Sequence, residues 1–569
     1  MPNVSRELLE EAFVKPIRFA LLLDDQFPTY IDATKPGSDA KDSDRARRLF
    51  EMCREKGWLC DIDNGIEVAE RFERTKHMHQ SDLLVLDYHL DAEQDGDPSR
   101  AISILQSLAK SQHFNLVIIY TSAEPKAVAR DVAYCLGAGD EAQQAGLDFW
   151  DEIGDADKSS KELTAEILDA FLRREKLPES TAAIRNYLEE EYNIVRQPRE
   201  DAIKALIQIF LRKRLPNHCV DGRLEAKLDV EFIAEQNTPW VQAGNLFVAV
   251  VQKTEKPEAL VGKLVDALSD WNPRPLRVLM MHARATLEKA GSFAETAALG
   301  SSRKQAGLLL HLLLSGSEGE KERRLIELYS RLSSDLARSM DGTITQFGKR
   351  LFARNEDVDP ITQARDATRL DGKHKDGAIY HALNEYLCLE SSTDEHVTTG
   401  VIFSCALGNE TAYWLCAAPA CDMVPGRCSK GMDEDIAPLR PVAVARLKAL
   451  DNEGTVFRAL QSATNGRHIF FSLREEMIAL EVADSETRQM ELDTLFLEEQ
   501  GKVVDGAFNG FVLERKDGAM PTFSARQFRV EARLRPEYAN RLLAQAGQQR
   551  GRIGVDFWNA PLPVDAEPG

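Results

Sequence analysis

Three apolar runs near the start of the sequence each stop on side chains that do not belong in a core. "FALLLDD" (19–25) ends on Asp24 and Asp25, "LLVLD" (83–87) on Asp87, and "NLVIIYTS" (115–122) on Thr121 and Ser122. Runs this apolar have no wet face, so they read as strands buried on both sides. Between them "RARRLFEMCREKGW" (45–58), "GIEVAERFERTKHM" (65–78), "SRAISILQSLAKSQ" (99–112) and "AEPKAVARDVAYCLG" (123–137) carry helical spacing, and "LCDIDN" (59–64) reads as one further short strand. Strand and helix in alternation specify a doubly wound parallel sheet covered by helices on both faces.

In such a sheet, sites form at the carboxyl ends of the strands. Asp24, Asp25, Asp87 and Thr121 are therefore expected to gather at one edge. Three crowded carboxylates push one another toward protonation unless a cation shares them, and Mg²⁺, which takes one or two carboxylates with a carbonyl and waters, suits the set. Asp87 can then serve as a nucleophile toward a phosphoryl group, with the Thr121 hydroxyl holding a phosphoryl oxygen. Plainer roles stand beside these. Asp24 or Asp25 can cap a helix, and Thr121 or Ser122 can cap the helix that has Pro125 in its first turn. Asp87 has the weaker plain role, because a carboxylate directly after "LLVL" is costly to bury alone.

The set "LLLDD", "LLVLDYHLDAEQDG" and "VIIYTSA" resembles the receiver domain of two-component response regulators, over about the first 175 residues. The resemblance implies a flavodoxin-like fold. It implies Mg²⁺ held by Asp24, Asp25, Asp87 and the backbone carbonyl of His89, Asp87 as phosphoacceptor, and Thr121 as the hydroxyl contact. It implies a histidine kinase or a related ATPase as phosphodonor. Asp95-Gly96 matches the family's turn after the phosphoacceptor, displaced by one residue. Receivers usually carry a lysine at the end of strand five that pairs with the phosphoryl group. The segment in that place here, "AGLDFWDEI" (145–153), has none; Lys126 lies too near Thr121 and Lys158 lies past the strand. Phe149 or Trp150 stands where the family's aromatic switch would.

Past "KLPES" (176–180) the pattern turns helical, from "TAAIRNYLEEEYNIV" through "PEALVGKLVDALSDW", "LRVLMMHARATLEKAG" and "KQAGLLLHLLLSG" to "ERRLIELYSRLSSDLARSM". "PWVQAGNLFVAVVQK" (239–253) interrupts it as strands, a hairpin around Ala243-Gly244. His282 and His311, each on an apolar helix, read as core histidines. From about 395, "HVTTGVIFSCAL", "AYWLCAAPACDMVPG", "LRPVAVARL", "RHIFFSL", "MIALEVAD" and "GFVLERK" are short strands separated by turn signals, closed by a helix over 536–549. They suggest a small barrel. "AAPACDMVPG" resembles a T-P-x-C-D motif of small barrel modules in bacterial multidomain proteins, with alanine in place of threonine; Cys421-Asp422 reads as a strand-end turn.

The expected organisation is a receiver-like domain over 1–178, a mainly helical domain over 179–345, a helical linker over 346–394, a β-rich barrel-like module with its terminal helix over 395–556, and a tail over 557–569. Net charge of -21 opposes nucleic-acid binding, which needs excess positive charge. The basic "RKRLPNH" (212–218) reads as a helix end countering its dipole. The opening "MPNVSRELLEEAF" is a polar helix start and not a signal peptide, no apolar run approaches the ~20 residues of a membrane span, and the cytoplasm is the expected compartment. Nine cysteines show no paired zinc knuckles, and Cys405, Cys416, Cys421 and Cys428 read as buried thiols.

Two readings of function follow. In one, a signalling protein takes a phosphoryl group on Asp87 and relays it through the helical and β-rich regions to protein partners, with no enzymatic activity beyond receiver self-phosphorylation and dephosphorylation. In the other, the receiver is a non-phosphorylated docking scaffold. Receivers fused to large uncharacterised regions also resemble components of bacterial conflict systems, including defence against phage.

Overall fold

The structure is a computed structural model that describes residues 4–27, 43–63, 81–90, 97–137, 169–170, 228–291, 301–314, 318–353, 356–370, 372, 374–391, 395–408, 410–426, 435–450, 452–473, 476–483, 489–514 and 522–550. The chain divides into two compact units, Met1–Ser292 with Ser339–Asp357, and Phe293–Arg338 with Val358–Gly569.

The first unit is built on one sheet. Helix α1 (Arg6–Leu9) runs on into a π-helical turn (Glu10–Val14), and then follow β1 (Phe19–Leu23), α2 (Ser43–Glu55), β2 (Leu59–Asp63), β3 (Leu83–Leu86), α3 (Ser99–Ala109), β4 (Asn115–Thr121) and α4 (Pro125–Gly137). The sheet is completed by β5 (Val230–Ile233), β6 (Trp240–Ala243) and β7 (Leu246–Gln252), and α5 (Leu260–Trp271) and α6 (Pro275–Gly291) come after it. Strand order is β2-β1-β3-β4-β7-β6-β5. The first five are parallel, and β6 and β5 add an antiparallel edge.

Alternation along each strand explains why the runs look uniformly apolar. Leu21, Leu23, Leu84, Leu86, Val117, Ile119, Val248 and Val250 face one core with α3 and α4. Ala20, Leu22, Leu83, Val85, Ile118, Phe247 and Ala249 face the other, with α2, α5 and the N-terminal helix. Both faces are covered, so both sets must be apolar.

The hairpin expected around Ala243-Gly244 joins β6 to β7, and its second strand is the fifth parallel strand of the sheet. This corrects the placement of that strand at 145–153. Those residues lie outside the described ones, as do Lys158, Phe149, Trp150, Asp95-Gly96, the basic 212–218 and the helical patterns over 65–78 and 181–215. The hairpin turn is anchored: Asn245 N donates to Ala109 O (3.1 Å) and Asn115 N to Asn245 O (2.8 Å). Gly244 has φ +54°, and a Cβ there would meet Ala109 O at 2.5 Å, so the turn excludes any side chain. A boundary at 178 therefore does not close this sheet.

In the second unit, α7 (Ser302–Leu313) and α8 (Glu318–Leu351), whose last turns belong to the first unit, precede α9 (Pro360–Thr368) and α10 (Asp376–Cys388). The strands are β8 (Leu389–Glu390), β9 (Val401–Leu407), β10 (Glu410–Cys416), β11 (Arg440–Leu450), β12 (His468–Leu473), β13 (Glu476–Glu481), β14 (Glu491–Leu497), β15 (Ala507–Glu514) and β16 (Thr522–Leu534). Helix α11 (Glu453–Gln461) follows β11 and α12 (Pro536–Arg550) follows β16. The order β10-β9-β16-β15-β14-β11 closes by β11 pairing β10, all antiparallel, which makes a barrel. Phe403, Trp414, Phe508 and Phe528 stack and meet edge-on in one of its cores.

Several smaller expectations resolve here. Cys405 and Cys416 are buried thiols, Cys421 is exposed, against expectation, because it sits in a surface 3₁₀ turn, and Cys428 lies outside the described residues. Cys135 is disulfide-bonded. His282 is buried and stacks on Phe347 (3.9 Å). His311 is exposed rather than core, since nearly every described side chain of α7 is exposed. Among the described residues no helix is long and apolar enough to cross a membrane.

Candidate functional site

The register of the parallel strands places the site. Leu23 pairs with Leu86 and Leu86 with Ile119, so Asp24, Asp87 and Tyr120 stand level one residue past these pairs. Thr121 ends β4 and pairs with Gln252, which brings Lys253 to the same end of the sheet. Ligand atoms of Asp24, Asp25 and Asp87 lie within 4.8 Å of one another. Three of the expected residues are thus one cluster. His89 follows two residues past Asp87 and is half-buried, its ring edge-on to Tyr88 at 5.1 Å.

Lys253 is the residue that sequence reasoning missed. Its Nζ donates to Asp24 Oδ2 and to Asp87 Oδ2, both at 2.8 Å, and its side chain is 9% exposed. Burial alone would lower the ammonium pKa, but Asp87 and Asp24 more than offset it and hold the pKa above the ordinary lysine value. The signal was in the sequence as "LFVAVVQK", an apolar strand closed by a lysine. It stands more than a hundred residues beyond β4, so chain order gave no reason to place it next in the sheet.

Asp87 is buried, with its backbone N–H on Leu23 O (2.8 Å). Burial pushes its carboxyl pKa up, Lys253 pulls it back, and Asp24 and Asp25 push it up further, leaving it above the ordinary aspartate value. Its Oδ2 is held by Lys253. Its Oδ1 is buried and has no hydrogen-bond partner. A buried carboxylate oxygen without a donor is costly. An oxygen-seeking cation shared with Asp24 and Asp25 would satisfy it, so the donor set fits Mg²⁺.

Thr121 is fully buried, and its Oγ1 accepts from Ala123 N (3.1 Å), the cap on the turn into α4. That uses a lone pair and leaves the hydroxyl proton for another acceptor. The loops after β4 and β7 are tied together: Lys253 N donates to Thr121 O (2.7 Å) and Tyr120 Oη to Glu255 O (2.6 Å). Beside Asp87, the buried Tyr88 hydroxyl bonds the Asp131 carboxylate on α4, and burial with that carboxylate raises its pKa.

Fold and site together define a flavodoxin-like α/β domain with an acidic, lysine-bridged pocket at the carboxyl end of its parallel strands. Residues 16–171 match the family model described as a response receiver domain. The match takes in β1 to β4 and the three aspartates, and it ends before β7 and Lys253. No curated protein and no solved structure matches the chain. A receiver domain is a signalling module of the two-component type and implies, in general terms, a phosphodonor kinase as partner.

Proposed function

We propose that this chain is a signalling protein whose N-terminal domain accepts a phosphoryl group on Asp87 and passes the change to its helical and β-rich regions. The observation that carries the reading is the asymmetry at Asp87: Oδ2 is tethered to Lys253 while Oδ1 is buried without a donor, beside two further carboxylates.

Asp24 and Asp25, with the carbonyl of His89, would hold Mg²⁺ against Asp87. When bound, the ion neutralises charge on phosphoryl oxygens. A carboxylate oxygen of Asp87 forms the new O–P bond as the bond to the donor's leaving group breaks and the electron pair departs with that group. Lys253 is placed to move from the carboxylate to a phosphoryl oxygen, and the Thr121 hydroxyl to donate to another. Both belong to loops already bonded to each other, so a shift at Lys253 is felt at the start of α4 and at the approach to α5. The donor is a histidine kinase or a related ATPase.

The test uses the full chain with Mg²⁺ and a small acyl phosphate. Intact mass is expected to rise by one phosphoryl group, and not to do so with Asp87→Asn or with chelator. A folded chain that takes no adduct from any donor is instead a docking scaffold.

A further inference from the structure

Helix α7 carries a leucine-rich surface that nothing in the chain covers. Leu308, Leu309, Leu310, Leu313 and the following Leu314 are 37%, 57%, 55%, 71% and 67% exposed. On the adjoining α8, Ile326 and Tyr329 are 61% and 67% exposed. The Arg324 guanidinium, itself paired with Glu320 (2.7 Å), donates to the carbonyl of His311 and holds the end of α7 against the first turns of α8. The two helices thus form a hairpin with its apolar side in water.

Scattered exposed leucines are ordinary, but five within seven positions of one short helix are not. A helix of this length is marginal in water without a packed face. The exposed fractions amount to roughly four complete large side chains, on the order of 600–800 Å² per copy. That exceeds the largest apolar patch of a typical monomer and approaches the ~800 Å² each partner gives to a standard interface.

We propose that this hairpin is a dimerisation surface, its occupant the same hairpin of a second copy. A net charge of -21 opposes approach to anionic lipid, which disfavours a bilayer. Charge at the two ends of the patch suits a two-fold. Arg303 opens α7, whereas Glu318 and Glu320 open α8 beyond its other end. Antiparallel packing of α7 on its mate brings the basic end of each to the acidic end of the other and buries both leucine faces in a four-helix arrangement. The proposal is independent of any chemistry at Asp87.

The test is the solution mass of the full chain by light scattering at about 10 µM. The wild type is expected at twice the 63.7 kDa chain mass. Leu309→Glu with Leu313→Glu, both at exposed positions, is expected to be monomeric with unchanged circular dichroism, the dissociation constant rising ~100-fold or more. Leu309→Ser with Leu313→Ser, read in parallel, adds no charge and is expected to weaken the dimer less. A monomeric wild type, a dimer that both variants leave intact, or a monomer that floats with neutral phosphatidylcholine vesicles would each overturn the proposal.

Discussion

Replacing Lys253 with methionine tests the electrostatics of the site. The substitution keeps the length of the buried arm and removes the only charge shown bridging Asp24 and Asp87. Removing one partner of a buried pair typically costs about 3–5 kcal/mol. The loss here has a ceiling, because Asp87 can escape by taking a proton. From its ordinary value of 3.8 to pH 7 that is about three pKa units, or ~4 kcal/mol. Asp87 already sits above its ordinary value, and Lys253 is what pulls it down, so Lys253→Met raises it further. A carboxyl raised in the folded state keeps its stability below the ordinary value and loses it as pH rises through the folded one. The deficit should therefore be small near pH 4 and reach ~3 kcal/mol at pH 7, and Mg²⁺ should recover much of it. Hydrogen exchange of β3 and β7 peptides in the full chain, with chelator and with Mg²⁺, reads this locally. Wild-type protection of the variant at pH 7 in chelator, or a deficit that Mg²⁺ leaves unchanged, would refute the reasoning.

Further outcomes follow from the same structure. A fragment ending at 178 lacks β7, so it should fail to give the near-ultraviolet dichroism of a packed core, whereas a fragment ending at 357 should give it. Gly244→Val combines a positive φ with a Cβ 2.5 Å from Ala109 O and should destabilise the β6–β7 turn by about 2 kcal/mol or more, seen as faster exchange in β7. His282 is held below the ordinary histidine value chiefly by burial. Its contribution should be lost as pH falls below about 6.5, and His282→Phe should flatten that acid limb in a thermal melt. Phe508→Ala empties part of the barrel's aromatic core and should cost about 3–5 kcal/mol by denaturant titration of the second unit.

What could be read from the sequence depended on how local the signal was. Asp24, Asp25, Asp87 and Thr121 were legible because each closes an apolar run, and a parallel sheet gathers such ends whatever lies between them. Lys253 was equally visible as a strand end. Its neighbour in the sheet is β4, however, and the intervening chain hides a pairing that no periodicity encodes. In the barrel, β9 to β13 and β15 were readable from their apolar cores. β14 and the long β16, "TFSARQFRVEARL", were not, because much of β16 is exposed and it carries four arginines and a glutamate. His311 misled because an apolar helix is ordinarily a buried one, and burial depends on a partner that the helix's own sequence does not name.

Borohydride trapping after incubation of the full chain with Mg²⁺ and acyl phosphate addresses the central claim most directly. An aspartyl phosphate is reduced at its own carbon, so peptide mapping reports the residue that carried the phosphoryl group. The account expects the reduced residue at position 87, with the signal lost in Asp24→Asn or Asp25→Asn because the cation is no longer held. Reduction at another aspartate, or an adduct at Asp87 indifferent to chelator and to both substitutions, would contradict a shared acidic site.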